Sequence, residues 1–364
     1  MLNKDFWKNK KVLITGHTGF KGSWLSCLLD QLGSRVFGLS LPPLTAPSLF
    51  EELNKCFQIE ENFFQDIRDS ETINKIIMDV KPDIIFHLAA QPLVRESYLD
   101  PIGTWNTNVM GSLNILEACA NIENLCTVVM ITTDKVYKNK EWEFGYRETD
   151  ELGGHDPYSS SKAACEIAIQ SWRSCFCNNK EARASNVLVS SARSGNVIGG
   201  GDWSKDRIIP DTIKALKSQK QVIVRNPKST RPWLHVLEPL AGYMLLAEKL
   251  SNFRKEKNLD VQNPFASAYN FGPNLESNRK VAELVGEIFK YWPGIFINKS
   301  DLSNFHEAER LNLQVDKAYQ NLNWTSKWNF ETTVERTINW YKQYYSEGPT
   351  AYELCKNDIN FYLN

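Results

Sequence analysis

Tyr158 and Lys162 stand four residues apart in the run Tyr158-Ser159-Ser160-Ser161-Lys162. At helical spacing the two side chains share one face. An ammonium beside a phenol favours the phenolate, so Tyr158 is expected to titrate below its usual range and to act as a base near neutral pH. Such a base takes the proton of an alcohol while hydride leaves the same carbon for a nicotinamide. A second cluster, Thr132-Thr133-Asp134-Lys135-Val136-Tyr137, closes the apolar run 125–132, and the Thr133 hydroxyl would complete the site. Tyr-x-x-x-Lys alone is common on helices, so its weight depends on a dinucleotide site upstream.

The elements that must position these residues are legible. Residues 10–15 (KKVLIT) read as a strand entering Gly16-His17-Thr18-Gly19-Phe20-Lys21-Gly22, and 23–32 as a helix. Glycines at such a turn let the backbone approach a pyrophosphate, and the helix N-terminus offers it free N–H groups. A second strand is expected over 35–41. The carboxylate that usually ends it, to hold ribose hydroxyls, is replaced by Ser40 and Leu41, and no arginine follows for a 2′-phosphate. That strand end leaves NAD and NADP both open. Residues 63–66 read as a third strand ending in Asp66-Ile67-Arg68-Asp69, with Asp66 and Ile67 offered to an adenine ring and a carboxylate of the same stretch to capping a helix over 70–80, readings compatible with each other. A fourth strand, 82–88, runs into Leu88-Ala89-Ala90-Gln91, small enough for a dinucleotide to lie against the backbone, and His87 reads as a packed strand residue. A long helix over 101–120 carries Trp105, Val109, Leu113, Leu116 and Ala120 at helical spacing, suited to core packing or to a subunit face. Another runs from the Tyr-Lys motif to Phe176, and 187–191 is the sixth strand.

Alternating strand and helix over the first 190 or so residues predicts an α/β chain with a Rossmann-type, doubly wound parallel sheet and a site at the carboxyl ends of its strands. The glycine turn, Asp66, Ala89, Thr133 and Tyr158 all fall at such ends. After residue 193 the pattern becomes glycine-rich (193–203), with short strands at 222–225 and 231–236 and helices near 278–291 and 331–346. The expected organisation is a dinucleotide domain over 1–193, rejoined by 236–265, and a smaller α+β substrate domain from 194–235 and 266–364. Arg193, Asn196, Arg207, Arg231 and Arg279 are offered to a diphosphate, because guanidinium forks match phosphate oxygens. Each arginine taken singly also reads as a solvated surface charge.

The chain has 364 residues, 42% hydrophobic and 23% charged, with a net charge of -1. Scattered basic residues argue against a nucleic-acid surface. No run approaches the ~20 apolar residues of a membrane span, and the N-terminal residues lack a signal peptide's apolar core. The eight cysteines show no C-x-x-C pairing or histidine cluster, so they read as reduced thiols in a cytoplasmic protein with no metal site.

The glycine turn, the Tyr158/Lys162 pair and Asn196-Val197-Ile198-Gly199 together resemble the extended short-chain dehydrogenase/reductases that act on nucleotide sugars, and the likeness spans nearly the whole chain. Within that superfamily, residues 15–25, Ala89 to Arg95, Thr133-Asp134-Lys135, Arg231 to Val236 and His306-Glu307-Ala308 are similar to the CDP-glucose 4,6-dehydratase branch. The resemblance implies a tightly held NAD that is reduced and reoxidised in each turnover, CDP-glucose as substrate, and a homodimer or homotetramer built on a helix bundle. It implies that Thr133, Tyr158 and Lys162 are the oxidation machinery and Asp134 the acid of a dehydration. Gln91, Asn196, Arg231 and Asn270 would contact the sugar nucleotide. The related dTDP-glucose enzymes carry glutamate at position 135 as the base for carbon 5; here Lys135 stands there.

Overall fold

The computed structural model describes residues 2–57, 59–177, 181–256, 262–299, 310–346 and 348–364. Six apolar segments separated by helices pair in parallel: β1 (Lys11–Thr15), β2 (Arg35–Ser40), β3 (Glu61–Phe64), β4 (Ile84–His87), β5 (Cys126–Ile131) and β6 (Val187–Ser194). A seventh strand, Ala268–Phe271, lies parallel beside β6. The spatial order 3-2-1-4-5-6-7 is a doubly wound Rossmann-type sheet. β4 and β5 are buried at every position, as strands covered by helices on both faces must be. Thr15 pairs with both Leu39 and His87, so β1, β2 and β4 end level with one another. That shared edge is the switch point of the sheet, where ligands of such folds bind.

Local sequence explains the helices that frame this edge. Asp156 caps the helix Pro157–Phe176 by accepting from the Ser159 amide at 2.9 Å, with proline at its first position. Asp100 likewise caps the long run Pro101–Cys119, which passes through a π-helical turn at Asn106–Met110. The helix Leu237–Glu256 packs back on β5 and β6. The helix Ala351–Leu363 packs on the first Rossmann helix, Phe20–Gln31, where Gln31 Nε2 donates to Tyr352 Oη at 2.8 Å.

Three details differ from the sequence expectation. β3 begins and ends two residues early, because it is a half-exposed edge strand with little apolar signal. The strand expected over 231–236 is two short strands with different partners. Thr230–Pro232 pairs antiparallel with Asn278–Lys280, and Leu234–His235 pairs parallel with Val197–Ile198. The seventh strand belongs to the main sheet, although a domain division at 266 assigns it to the second unit.

Candidate active site

β1 ends at Thr15, and the chain turns at Gly16 with φ +77°. A Cβ there would lie 2.7 Å from Ala89 N and 2.9 Å from Ala89 Cα, so only glycine lets the β1 and β4 ends approach this closely. At Gly22 a Cβ would collide with the Gly16 carbonyl oxygen. The helix Phe20–Gln31 opens at Gly19 with no side-chain cap and no acid in its first turn. Its first N–H groups are left to an anion. This cradle fits a dinucleotide pyrophosphate. Leu88, Ala89 and Ala90 are half-buried along its wall, and Ala89 N donates to Thr15 Oγ1 at 3.2 Å. Ser40, at the end of β2, bonds the Thr18 hydroxyl at 2.9 Å, which also donates to Leu41 O.

Other residues of this region hold the protein to itself. His17 is buried on Gly38, with Nε2 at 3.0 Å from Asn62 Oδ1, and burial lowers its pKa to about 4. Asp66 pairs with Arg68 at 2.6 Å, whose hydrogen bonds hold the carboxyl below its usual range. The helix cap is Asp69, the last residue of that stretch. Ile67 is in the core against Gly111. His87 is the packed strand residue the sequence implied, bonded to Thr15 and Ser112.

Where β5 ends, a 3-10 turn at Asp134–Val136 gathers the reactive groups. Thr133 Oγ1 donates to Asp134 Oδ1 at 3.0 Å and accepts from Lys135 N at 3.4 Å. Asp134 is buried, and its Oδ2, which has no hydrogen-bond partner, lies against Gly195, where a Cβ would collide with it. Burial pushes the Asp134 carboxyl up, against the pull of Lys135, the Thr133 hydrogen bond, Arg231 and Lys21. A buried carboxyl with a raised pKa and one free oxygen is suited to donate a proton. Lys135 is half-buried.

Tyr158 sits in the first turn of its helix, its amide donating to Ser97 Oγ at 3.1 Å. Burial pushes its hydroxyl up to about 12, against its hydrogen bond with Thr133. The sequence implied the opposite direction. The charges acting on the phenol are Asp134, Arg207 and Asp156, and Lys162 Nζ turns instead to Ile131 O at 3.4 Å. Desolvation of the phenolate therefore wins in this arrangement. Burial also lowers Lys162.

Two residues offered to a substrate lie beneath the site in a buried network. Arg193 Nη2 pairs with Glu166 Oε2 at 2.7 Å, and Nη1 donates to Tyr137 Oη at 2.8 Å. Tyr137 donates to Asn270 Oδ1 at 2.7 Å, and Asn270 Nδ2 donates to Tyr146 O and Gln314 O. Arg193 and Asn270 are thus committed to the fold, because a charge ending a buried strand needs an internal partner. Gln91 folds onto its own loop, donating to Leu93 O and Thr104 Oγ1. Arg207 bonds Asp202 at 3.1 Å while its charge acts on Tyr158. Arg231 and Arg279 are cross-strand partners, and the charge of Arg231 acts on Asp134. Asn196 is half-buried, its carbonyl accepting from Leu234 N at 3.1 Å. His306-Glu307-Ala308 lies outside the described residues.

Sequence reasoning missed Glu166 and Lys21. Glu166 is one turn past Lys162 on the same helix; Lys21 is the lone cation of the glycine turn, and those placements were the signals available. Lys21 Nζ donates to Ser194 Oγ at 3.0 Å. Burial, and then the charge of Arg207, lower its pKa to about 8. Among the described residues no cluster of His, Cys, Asp or Glu could hold a metal.

Residues 13–337 match the family model described as GDP-mannose 4,6 dehydratase. The chain is 42% identical to the CDP-glucose 4,6-dehydratase of Salmonella typhimurium, over 100% of this chain and 99% of that protein. An epimerase structure from Methanothermobacter thermautotrophicus superposes with a TM-score of 0.78 at 22% identity, covering 97% of this chain and 96% of the other. The dTDP-glucose 4,6-dehydratase of Bacillus anthracis, solved with NAD, gives 0.71 at 19% identity over 91% of this chain and 96% of that one.

Proposed function

Because the chain belongs to the GDP-mannose 4,6 dehydratase family, we propose that it is an NAD-dependent hydro-lyase that converts CDP-glucose to CDP-4-keto-6-deoxyglucose and water. The observation that carries the dehydration is Asp134, a buried carboxyl with one unpartnered oxygen, hydrogen-bonded through Thr133 to the Tyr158 group. An epimerisation has no use for that acid.

The residues divide the work as follows. Gly16, Gly19, Gly22, the backbone of His17, Thr18 and Phe20, and the wall from Leu88 to Ala90 hold the dinucleotide, with Ser40, Asp66 and Ile67 toward its adenosine end. NAD bound there would supply reversible hydride acceptance for the oxidation at carbon 4 and the reduction at carbon 6, and its positive charge would favour the Tyr158 phenolate. Tyr158 takes the proton of the 4-hydroxyl while Thr133 and Lys162 orient it. The 4-ketone acidifies carbon 5; Lys135 takes that proton, or stabilises the enolate while water or another group takes it, and a proton returns to carbon 5 when hydride reaches carbon 6. Asp134 protonates the departing 6-oxygen, since hydroxide is a poor leaving group; such acid help is worth about 10²–10⁴-fold. Arg207, Arg231, Arg279 and Asn196 face the diphosphate sugar from the second unit.

We assign a homodimer or homotetramer on the exposed apolar residues Ile102, Trp105 and Met110 of one long helix and Ile167 of the adjoining helix Pro157–Phe176. No described helix is long and apolar enough to cross a membrane, and the eight free thiols support a reducing, cytoplasmic setting.

The test is incubation of the purified protein with CDP-, dTDP-, UDP- and GDP-glucose, with and without NAD, followed by mass. Loss of one water from CDP-glucose is the expected result. Unchanged mass with a new sugar stereoisomer would make the protein an epimerase.

A further inference from the structure

Lys21 is a half-buried cation to which the scheme above gives no task. Its backbone belongs to the first turn of the helix that cradles the dinucleotide, but its side chain reaches across to the far side of the site. There Nζ donates to Ser194 Oγ at 3.0 Å, at the very end of β6. Ser194 Oγ is in turn 2.6 Å from Tyr243 Oη, on the helix Leu237–Glu256. Ser194 and Tyr243 are both buried. The amine is therefore anchored on one buried hydroxyl, which a second buried hydroxyl holds in turn.

The residue after Ser194 is Gly195, and against Gly195 rests the unpartnered Oδ2 of Asp134. Lys21 and Asp134 thus lodge against successive residues of one strand end, and each lies within the other's electrostatic reach. The absence of a Cβ at position 195 is what lets the carboxyl come so near.

We propose that Lys21 is a positioning residue for the elimination step, its ammonium pinned by Ser194 so as to stabilise the carboxylate that forms when Asp134 gives up its proton. The inference rests on the dehydratase reading. In that step the C5–H bond breaks as the base takes the proton, and its electron pair forms the C5–C6 double bond. The C6–O bond breaks, and the Asp134 proton completes the departing water. Asp134 goes from neutral to anionic in a buried place, and Lys21 stays a cation throughout. An ion appearing in low dielectric is stabilised most by a fixed charge already in position. Lys135 and Arg231 also act on Asp134, and all three cations are half-buried; Lys21 is distinguished by the hydrogen bond of its amine to Ser194, the residue next to Gly195.

The arrangement has a pH signature. The groups that face Lys21 are Arg207, ahead of the helix Ile208–Lys217; Asp134, in the turn after β5; Lys162, on the helix Pro157–Phe176; and Ser194 with Tyr243 behind it. Burial and the cations Arg207 and Lys162 disfavour its charge, while Asp134 supports it, leaving a pKa of about 8. The kcat profile should therefore fall above about pH 8 as the amine loses its proton.

The experiment compares Lys21→Met, Lys21→Arg and Ser194→Ala with the wild type on CDP-glucose plus NAD. It follows water loss by mass and nicotinamide reduction by near-ultraviolet absorbance. Expected for Lys21→Met is a fall in dehydration of ~10²-fold, the lower end of acid assistance, with reduced nicotinamide accumulating because oxidation at carbon 4 continues. Lys21→Arg should recover most of the rate and move the alkaline limb upward by about one pH unit or more, since arginine keeps its charge. Ser194→Ala should fall between. The proposal is overturned if Lys21→Met dehydrates at the wild-type rate, if saturating NAD restores it, or if oxidation and dehydration slow equally with no reduced nicotinamide building up. If the wild type itself releases no water from any of the four nucleotide sugars, it is the dehydratase reading that has failed.

Discussion

Replacing Arg193 with methionine separates a structural arginine from a substrate-binding one. The guanidinium pairs with Glu166 at 2.7 Å, and both side chains are almost completely buried, at 4% and 3% exposure. Methionine keeps the stem and removes the charge. Glu166 then keeps only its hydroxyl donors, Thr132 at 2.5 Å and Ser191 at 2.8 Å, and Tyr137 loses a donor. Stranding one partner of a buried ion pair costs about 3–5 kcal/mol. With an unfolding entropy of roughly 2 cal/mol/K per residue over 364 residues, that is a fall in melting midpoint of about 4–7 °C. Adding Glu166→Gln removes the stranded charge and should recover at least half of the loss, a coupling that a double-mutant cycle reads directly. The assay is thermal unfolding of the four proteins, with KM for the sugar nucleotide measured on each. A midpoint within about 1 °C of wild type for Arg193→Met, together with a KM raised tenfold or more, would refute the reasoning and return Arg193 to the substrate.

Further predictions bear on the acid, on pH and on assembly. Gly195→Ala pushes a Cβ into Asp134; dehydration should fall by about 10²-fold while oxidation at carbon 4 persists, and equal loss of both steps would contradict the placement of the acid. Asp134→Asn should do the same without moving the backbone, and normal turnover in that variant would remove Asp134 from the mechanism. His87 is held neutral by burial, its pKa lowered to about 3 from 6.5. Its contribution is complete above about pH 6.5 and is lost as pH falls toward 3, because the unfolded chain binds a proton the buried ring refuses. At pH 5 that amounts to roughly 2 kcal/mol. His87→Gln should flatten the dependence of the denaturation midpoint between pH 7 and 5, and parallel slopes would discard the assignment. Ile102→Glu with Ile167→Glu should shift the protein to monomer in light scattering, and an unchanged mass would mean that subunits meet elsewhere.

Much of this fold was written in β-branched runs punctuated by glycine. Strands β4 and β5 are apolar on both faces and could be read directly, and the helix over 70–80 begins and ends where its cap and pattern say. β3 was blurred because an edge strand has little to bury. The seventh strand is a short Ala-Tyr-Asn-Phe run whose place beside β6 is decided by tertiary pairing, which no local pattern encodes. At the site, residue type located Thr133, Asp134, Tyr158 and the glycine turn. What spacing could not reveal was depth. Tyr158 and Lys162 do lie one helical turn apart, but the lysine bonds a β5 carbonyl and burial reverses the expected shift on the tyrosine. Arg193 resembled a loop cation because its partner, Glu166, sits on a different element. The free oxygen of Asp134 depends on a glycine sixty-one residues away.

The seating of Ala351–Leu363 on the first Rossmann helix ties together two stretches far apart in the chain. The tyrosine that braces the end of the glycine turn's helix lies 321 residues downstream. A chain cut before residue 351 would carry every reactive side chain named above and still lack that brace at the far end of the cradle's helix.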